Sequence, residues 1–186
     1  MYKSFYSMKT CKICISWFFV SFLFFYSGIL FSDELSQSDG AVVTSNALAT
    51  KVGEKILADG GNAYDAATAI SAMLSVVEPF ASGLGGGAFW LIYDAESEEY
   101  KVLDARETAP FQSHNDMYLD ENNNVIENAS RIGPLAAGIP GIPAVLSYVN
   151  TKYGSKKMNT ILAPAYHAAK NGFPVNNRYI RGAKYK

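Results

Sequence analysis

One arginine and a run of glycines carry the clearest chemical potential in this sequence. Arg106 stands in Asp104-Ala105-Arg106-Glu107-Thr108-Ala109-Pro110, where an apolar run gives way to polar residues. Its guanidinium is a planar fork of donors, able to grip a carboxylate through two parallel hydrogen bonds. Asp104 and Glu107 are placed either to orient that cation or simply to neutralise it. By residue type alone an ordinary surface arginine is the commoner case. The position of Arg106 at a strand end, just after Leu103, is what makes it a candidate binding residue.

The glycines lie upstream, in Gly83-Leu84-Gly85-Gly86-Gly87. A phosphate loop would need a strand before the glycines and a helix after them, so that helix N-terminal amides face the anion. Here the order is helix, glycines, strand, and no Gly-Lys-Ser/Thr follows. Nucleotide binding is therefore set aside. A tight turn that packs a helix against a strand explains the glycines better, and a loop lining a ligand pocket is compatible with that.

Other reactive residues offer less. Cys11 and Cys14 form a Cys-x-x-Cys, but they lie in a targeting-type segment, with no second pair to complete a zinc site. His114 and His167 are far apart and suggest no metal pair. No Gly-x-Ser-x-Gly elbow occurs. No metal and no cofactor is expected, and no catalytic residue is assigned.

These residues need elements to hold them. Ala88 to Tyr93 and Tyr100 to Asp104 are aromatic and aliphatic runs split by a polar acidic segment, which predicts a β-hairpin. Ala41 to Ser45 reads as a short strand. Asn46 is placed to cap a helix with Leu48, Val52, Ile56 and Leu57 on one face, stopped by Gly60-Gly61. Asn62 and Asp65 resemble a capping box for a second, alanine-rich helix, apolar on most faces and therefore buried, which Pro79 ends. Asn115 to Ser130 is a polar surface loop; its Asn128-Ala129-Ser130 sequon has meaning only in a eukaryotic secretory pathway, and chance is the preferred reading. A helix from about Pro143 should bury Val145, Leu146 and Val149 and stop at Gly154. Asn159 is placed to cap another, running to Asn171-Gly172, and a last helix begins after Phe173-Pro174-Val175.

The chain has 186 residues, 49% of them hydrophobic, and a net charge of −1. That suffices for one domain core and gives no reason to invoke nucleic acid. Residues 1–35 stand apart as a signal peptide or membrane anchor: Lys3, Lys9 and Lys12 precede the apolar run from Ile13 to Phe31. The run is long for a signal, and Leu30-Phe31-Ser32 matches a cleavage site only at its last position. A cleaved signal is preferred over a retained anchor. Either places the body outside the cytoplasm, secreted or periplasmic.

Several stretches together resemble the gamma-glutamyltransferase (gamma-glutamyl transpeptidase) family. They are Leu48-Ala49, Gly53 and Ile56-Leu57, then Gly60 to Ala67, the glycine run, Asp104 to Pro110 and Gly138-Ile139-Pro140-Gly141. Lys152-Tyr153-Gly154, Pro164-Ala165 and Gly172-Phe173 continue the likeness in order. The resemblance implies an α/β (α+β) fold, part of a four-layer αββα N-terminal nucleophile hydrolase architecture. It implies a zymogen that cleaves itself autocatalytically into a large and a small subunit, whose new N-terminal threonine attacks the γ-glutamyl amide of glutathione or a related compound. Water, an amino acid or a peptide then accepts the acyl group. Arg106 matches the arginine that grips the α-carboxylate of the γ-glutamyl group. Nothing here matches the small subunit, and Thr44, Thr50, Thr68, Thr108, Thr151 and Thr160 lie in large-subunit segments. Residues 36–186 are thus expected to be the N-terminal portion of a large subunit, an incomplete domain inactive by itself. The rival expectations are a truncated non-catalytic product and a related acylase acting on a different acyl amide.

Overall fold

The computed structural model describes residues 40–184. The apolar run, the Cys11–Cys14 pair and the boundary at residue 35 lie outside them. Helix α1 spans Ala47–Ala58. Asn46 starts it, its Oδ1 accepting from the Leu48 amide at 3.0 Å, and thereby satisfies one amide that has no partner within the helix. Gly60, at φ +79°, reverses the chain after it, a conformation that costs a residue without Cβ little.

Helix α2, Ala63–Val77, begins with a reciprocal cap. The Asp65 amide donates to Asn62 Oδ1 at 2.9 Å and the Asn62 amide returns a bond to Asp65 Oδ2 at 3.0 Å. Ala66, Ala69, Ala72, Met73 and Val77 are buried along it. It packs against α1 and, downstream, against α4 (Ile142–Tyr153) and α5 (Met158–Asn171). The alanine-rich composition lets these neighbours approach a central helix closely. One cluster joins Ala49, Ala72, Met73, Val77 and Ala165; another joins Ile56, Ala66, Ala69 and Ile161. The short turn α3, Pro79–Ser82, leads from α2 into the glycine loop.

Strands β1 (Ala88–Asp94) and β2 (Glu99–Ala105) pair antiparallel, with Ala88 opposite Ala105 and Tyr93 opposite Tyr100. Lys101 Nζ donates to Asp94 Oδ2 at 2.8 Å near the open turn. Val145 and Val149 of α4 form a third cluster with Ala105 and thereby anchor the end of β2. Helix α6, Asn177–Lys184, closes the described segment.

Two expectations are corrected. Ala41 to Ser45 is not a strand among the described residues. Thr44 Oγ1 instead donates to the Asn46 carbonyl at 2.7 Å and meets Thr50 Oγ1 at 2.8 Å, so the Thr44 hydroxyl here serves local polar contacts at the start of α1. Asn159 does not cap α5, which starts one residue earlier with Lys157 at the boundary. The hairpin, the other caps and stops, and the burial of Val145, Leu146 and Val149 are as the sequence predicts.

Candidate functional site

Arg106 and Glu107 form a short arch between two fixed points. On one side Ala105 is buried and paired with Ala88. On the other, Thr108 and Ile139 exchange backbone bonds, the Thr108 amide donating at 3.2 Å and the Ile139 amide at 2.8 Å. The chain between these points has little freedom, so its two side chains leave from defined positions. The Arg106 amide donates to Asp104 Oδ1 at 3.0 Å, an Asx turn at the end of β2. Arg106 Nε lies 3.5 Å from Glu107 Oε2. Of the two acids the sequence suggested as orienting partners, Glu107 therefore takes the guanidinium and Asp104 takes the backbone.

The glycine run supports the arch from beneath. The Gly86 amide donates to the Gly83 carbonyl at 3.1 Å, closing a tight turn. The Gly86 carbonyl accepts from the amides of Gly141 and Ile142, at 3.1 and 3.2 Å, and so joins the loop to the start of α4. A Cβ on Gly87 would sit 2.6 Å from both the Ala105 carbonyl oxygen and Glu107 Oε2. The tight turn is as the sequence predicts, and Gly83, Gly86 and Gly87 also line a cleft of about 530 Å³ together with Trp90, Glu107 and Ile142.

Gly141 shows the same crowding. Its φ of −92° and ψ of −24° are open to any residue, but an added Cβ would run into the Ala105 carbonyl. Gly141→Ala should cost about 1–3 kcal/mol through forced separation of β2 and α4. A drop in thermal midpoint of several degrees would register it, whereas an unchanged midpoint would show that the two elements separate without cost.

Arg106 borders a cleft of about 560 Å³ with Thr108, Ile139, Pro140, Ala144 and Tyr148. Its side chain is 67% exposed, so it stands at the rim of that cleft. Tyr148 is a lining residue that sequence reasoning missed. Lys152, one turn on along α4, donates to its hydroxyl at 2.9 Å, and that hydrogen bond holds the phenol below its ordinary pKa. The i, i+4 spacing of Tyr148 and Lys152 was the available signal. His114 and His167 are both exposed, on a loop and on α5 respectively. Among the described residues no group of three or more His, Cys, Asp or Glu is placed to hold a metal.

The family model for Gamma-glutamyltranspeptidase matches residues 49–185. The chain belongs to the gamma-glutamyltranspeptidase family. Against the glutathione hydrolase proenzyme of Bacillus subtilis (strain 168) it is 39% identical over 150 residues, 78% of this chain and 26% of that protein. The chain thus spans about a quarter of the length of the curated relatives it matches. The crystal structure of Helicobacter pylori gamma-glutamyltranspeptidase superposes with a TM-score of 0.74 at 41% identity, over 78% of this chain and 41% of that one. Cephalosporin acylase from Bacillus halodurans is similar at greater distance: TM-score 0.62, 28% identity, 74% of this chain and 25% of that one. The chain shares the mixed α+β class of these neighbours and is part of an N-terminal nucleophile hydrolase fold, to which its described residues bring helices and one two-stranded sheet.

Proposed function

We propose that this gamma-glutamyltranspeptidase-family chain supplies the α-carboxylate-binding part of a γ-glutamyl site. The observation that carries the proposal is the Arg106–Glu107 arch: a guanidinium oriented by a neighbouring carboxylate, with free donors at the rim of a cleft. Such a fork positions a γ-glutamyl donor, and positioning lowers the barrier by orientation rather than by bond chemistry. The nucleophile, a threonine at the head of a small subunit cut from the same precursor, lies outside residues 36–186. It attacks the γ-amide of glutathione or a related compound to form a γ-glutamyl-threonine intermediate, which water or an amino-acid or peptide amine resolves. The small subunit would also cover the exposed guanidinium and exclude water from it, which strengthens the ion pair. A leading segment over residues 1–35 would deliver the body to a secreted or periplasmic location, either released or anchored.

The likeness to cephalosporin acylase favours a second reading, in which the acyl group differs. A panel of amides assayed with the protein expressed from its whole reading frame separates the two. Donors with a free α-carboxylate and α-amine on the acyl chain should be hydrolysed at least about ten-fold better than glutaryl amides lacking the amine. A preference for the glutaryl amides would move the chain to the acylase reading. No turnover of any amide would favour a non-catalytic product.

A further inference from the structure

We infer that helix α6 is a strap that sets the substrate affinity of the proposed site, with Arg178 and Glu78 as its positioning residues; this rests on the γ-glutamyl reading above. Glu78 lies between α2 and Pro79, and its side chain is only 2% exposed. Groups from separate parts of the chain converge on it. Ser45 Oγ donates to Oε2 at 3.1 Å, Asn46 Nδ2 reaches Oε1 at 3.5 Å, and Arg178 Nη2 stands 3.4 Å from Oε2. A carboxylate this far from water is costly unless its charge is paired. Among the described residues Arg178 is the cation in ion-pair contact with it.

The same helix grips the next turn. The Arg178 guanidinium lies 5.9 Å from the centre of the Phe80 ring, and Tyr179 meets that ring edge-on at 6.1 Å. Gly182 lies flat against the ring: a Cβ there would come within 2.6 Å of its Cγ. The Glu78 carbonyl accepts from the amides of Ala81 and Ser82, each at 2.9 Å, so the buried carboxylate and turn α3 behave as one unit.

From that unit the contacts run without a gap to the arch. Ser82 leads into Gly83, whose carbonyl holds Gly86; Gly86 holds the start of α4; Gly87 lies against Ala105 and Glu107, beside Arg106. Releasing α6 leaves Glu78 with neutral donors only and frees the turn that feeds the glycine loop. The arch then loses its support while its own residues stay intact. A small misplacement of a binding group lowers affinity out of proportion to the movement.

The test uses the protein expressed from its whole reading frame, with Arg178→Gln, Arg178→Lys and Arg106→Ala variants and γ-glutamyl-p-nitroanilide as probe. Arg178→Gln should raise KM about five-fold with kcat within about two-fold, the size expected of residues that touch no ligand. Arg178→Lys should recover much of the loss, because it restores the charge. Amide hydrogen exchange should quicken at Gly86 and Gly141 in Arg178→Gln, while the Asn62–Asp65 cap keeps the parent rate. Unchanged KM and loop exchange would overturn the strap. So would a joint collapse of KM, kcat and exchange protection throughout the chain, which marks a merely structural ion pair. Loss of donor binding in Arg106→Ala alone would sink the strap and leave the functional reading standing. If the parent turns over no γ-glutamyl donor, that reading falls and the strap's role in substrate affinity falls with it, whereas unchanged loop exchange in Arg178→Gln with an active parent overturns the strap alone.

Discussion

Arg106→Ala is expected to raise KM for γ-glutamyl donors by one to two orders of magnitude while precursor cleavage proceeds at the parental rate. A charge-assisted contact to a carboxylate contributes roughly 1.5–3 kcal/mol, which corresponds to about 10- to 150-fold in affinity. Two features of the structure argue for the full effect. Among the described residues the guanidinium contacts one carboxylate, Glu107 Oε2 at 3.5 Å through Nε, which leaves its terminal nitrogens for a ligand. The arch that carries it is fixed at Ala105 and at the Thr108–Ile139 bridge, so the truncated variant keeps the cleft's backbone. Arg106→Lys should recover only part of the loss, because an ammonium is a point charge without the fork. kcat should change less than KM if the contact is made equally in the ground and transition states. Steady-state kinetics with γ-glutamyl-p-nitroanilide, and gel analysis of subunit cleavage, measure both quantities. Parental kinetics would remove Arg106 from the site, and failure of cleavage would recast it as a folding residue.

The parts of this site that were legible in the sequence are those whose signals are local. The hairpin, the Asn46 and Asn62–Asp65 caps and the Gly60 reversal each depend on residues within a few positions of one another. Arg106 was legible as a strand-end cation, but not its pairing with Glu107 rather than Asp104, which depends on how the backbone turns at the end of β2. The misread strand at Ala41 to Ser45 shows the limit of β-propensity: Val42, Val43 and Thr44 suit a pleated surface, yet a strand exists only where another strand pairs with it. Glu78 escaped notice for a related reason. Next to Pro79 it reads as an ordinary helix end, and its burial depends on Ser45, Asn46 and Arg178, up to 100 residues away in sequence but adjacent in the fold.

Asp65 is where a change should cost the most stability. Its side chain is fully buried and does more than close the capping box. Besides the Asn62 amide at 3.0 Å, it accepts from the Ser155 amide at 3.1 Å, the Lys156 amide at 3.2 Å and the Ser155 hydroxyl. Asn62 Nδ2 adds a bond to the Tyr153 carbonyl at 2.7 Å, so the start of α2 is locked to the turn between α4 and α5. Asp65→Ala leaves these donors facing a void, and about 3–5 kcal/mol of destabilisation is expected, comparable to breaking a buried ion pair. That is a large share of the roughly 5–15 kcal/mol typical of a whole domain. Asp65→Asn keeps one acceptor oxygen but turns an amide NH₂ towards donors, so it should lose less than the alanine variant, on the order of 2 kcal/mol.

The pH dependence separates the carboxylate's charge from its shape. Burial opposes ionisation of Asp65, but the Ser155 hydroxyl and the amides of Asn62, Lys156 and Ser155 outweigh it and hold the pKa below the ordinary 3.8. A depressed folded-state pKa gives stability that is fully present above the unfolded-state value and is lost as pH falls through the folded one. The stability gap between parent and Asp65→Asn should therefore be constant from neutral pH down to about pH 5 and narrow progressively below about pH 4. Urea unfolding of both proteins at a series of pH values measures that gap directly. A gap that stays constant to the lowest pH would mean that the four donors are satisfied by oxygen geometry alone and that ionisation of Asp65 contributes nothing to the lock.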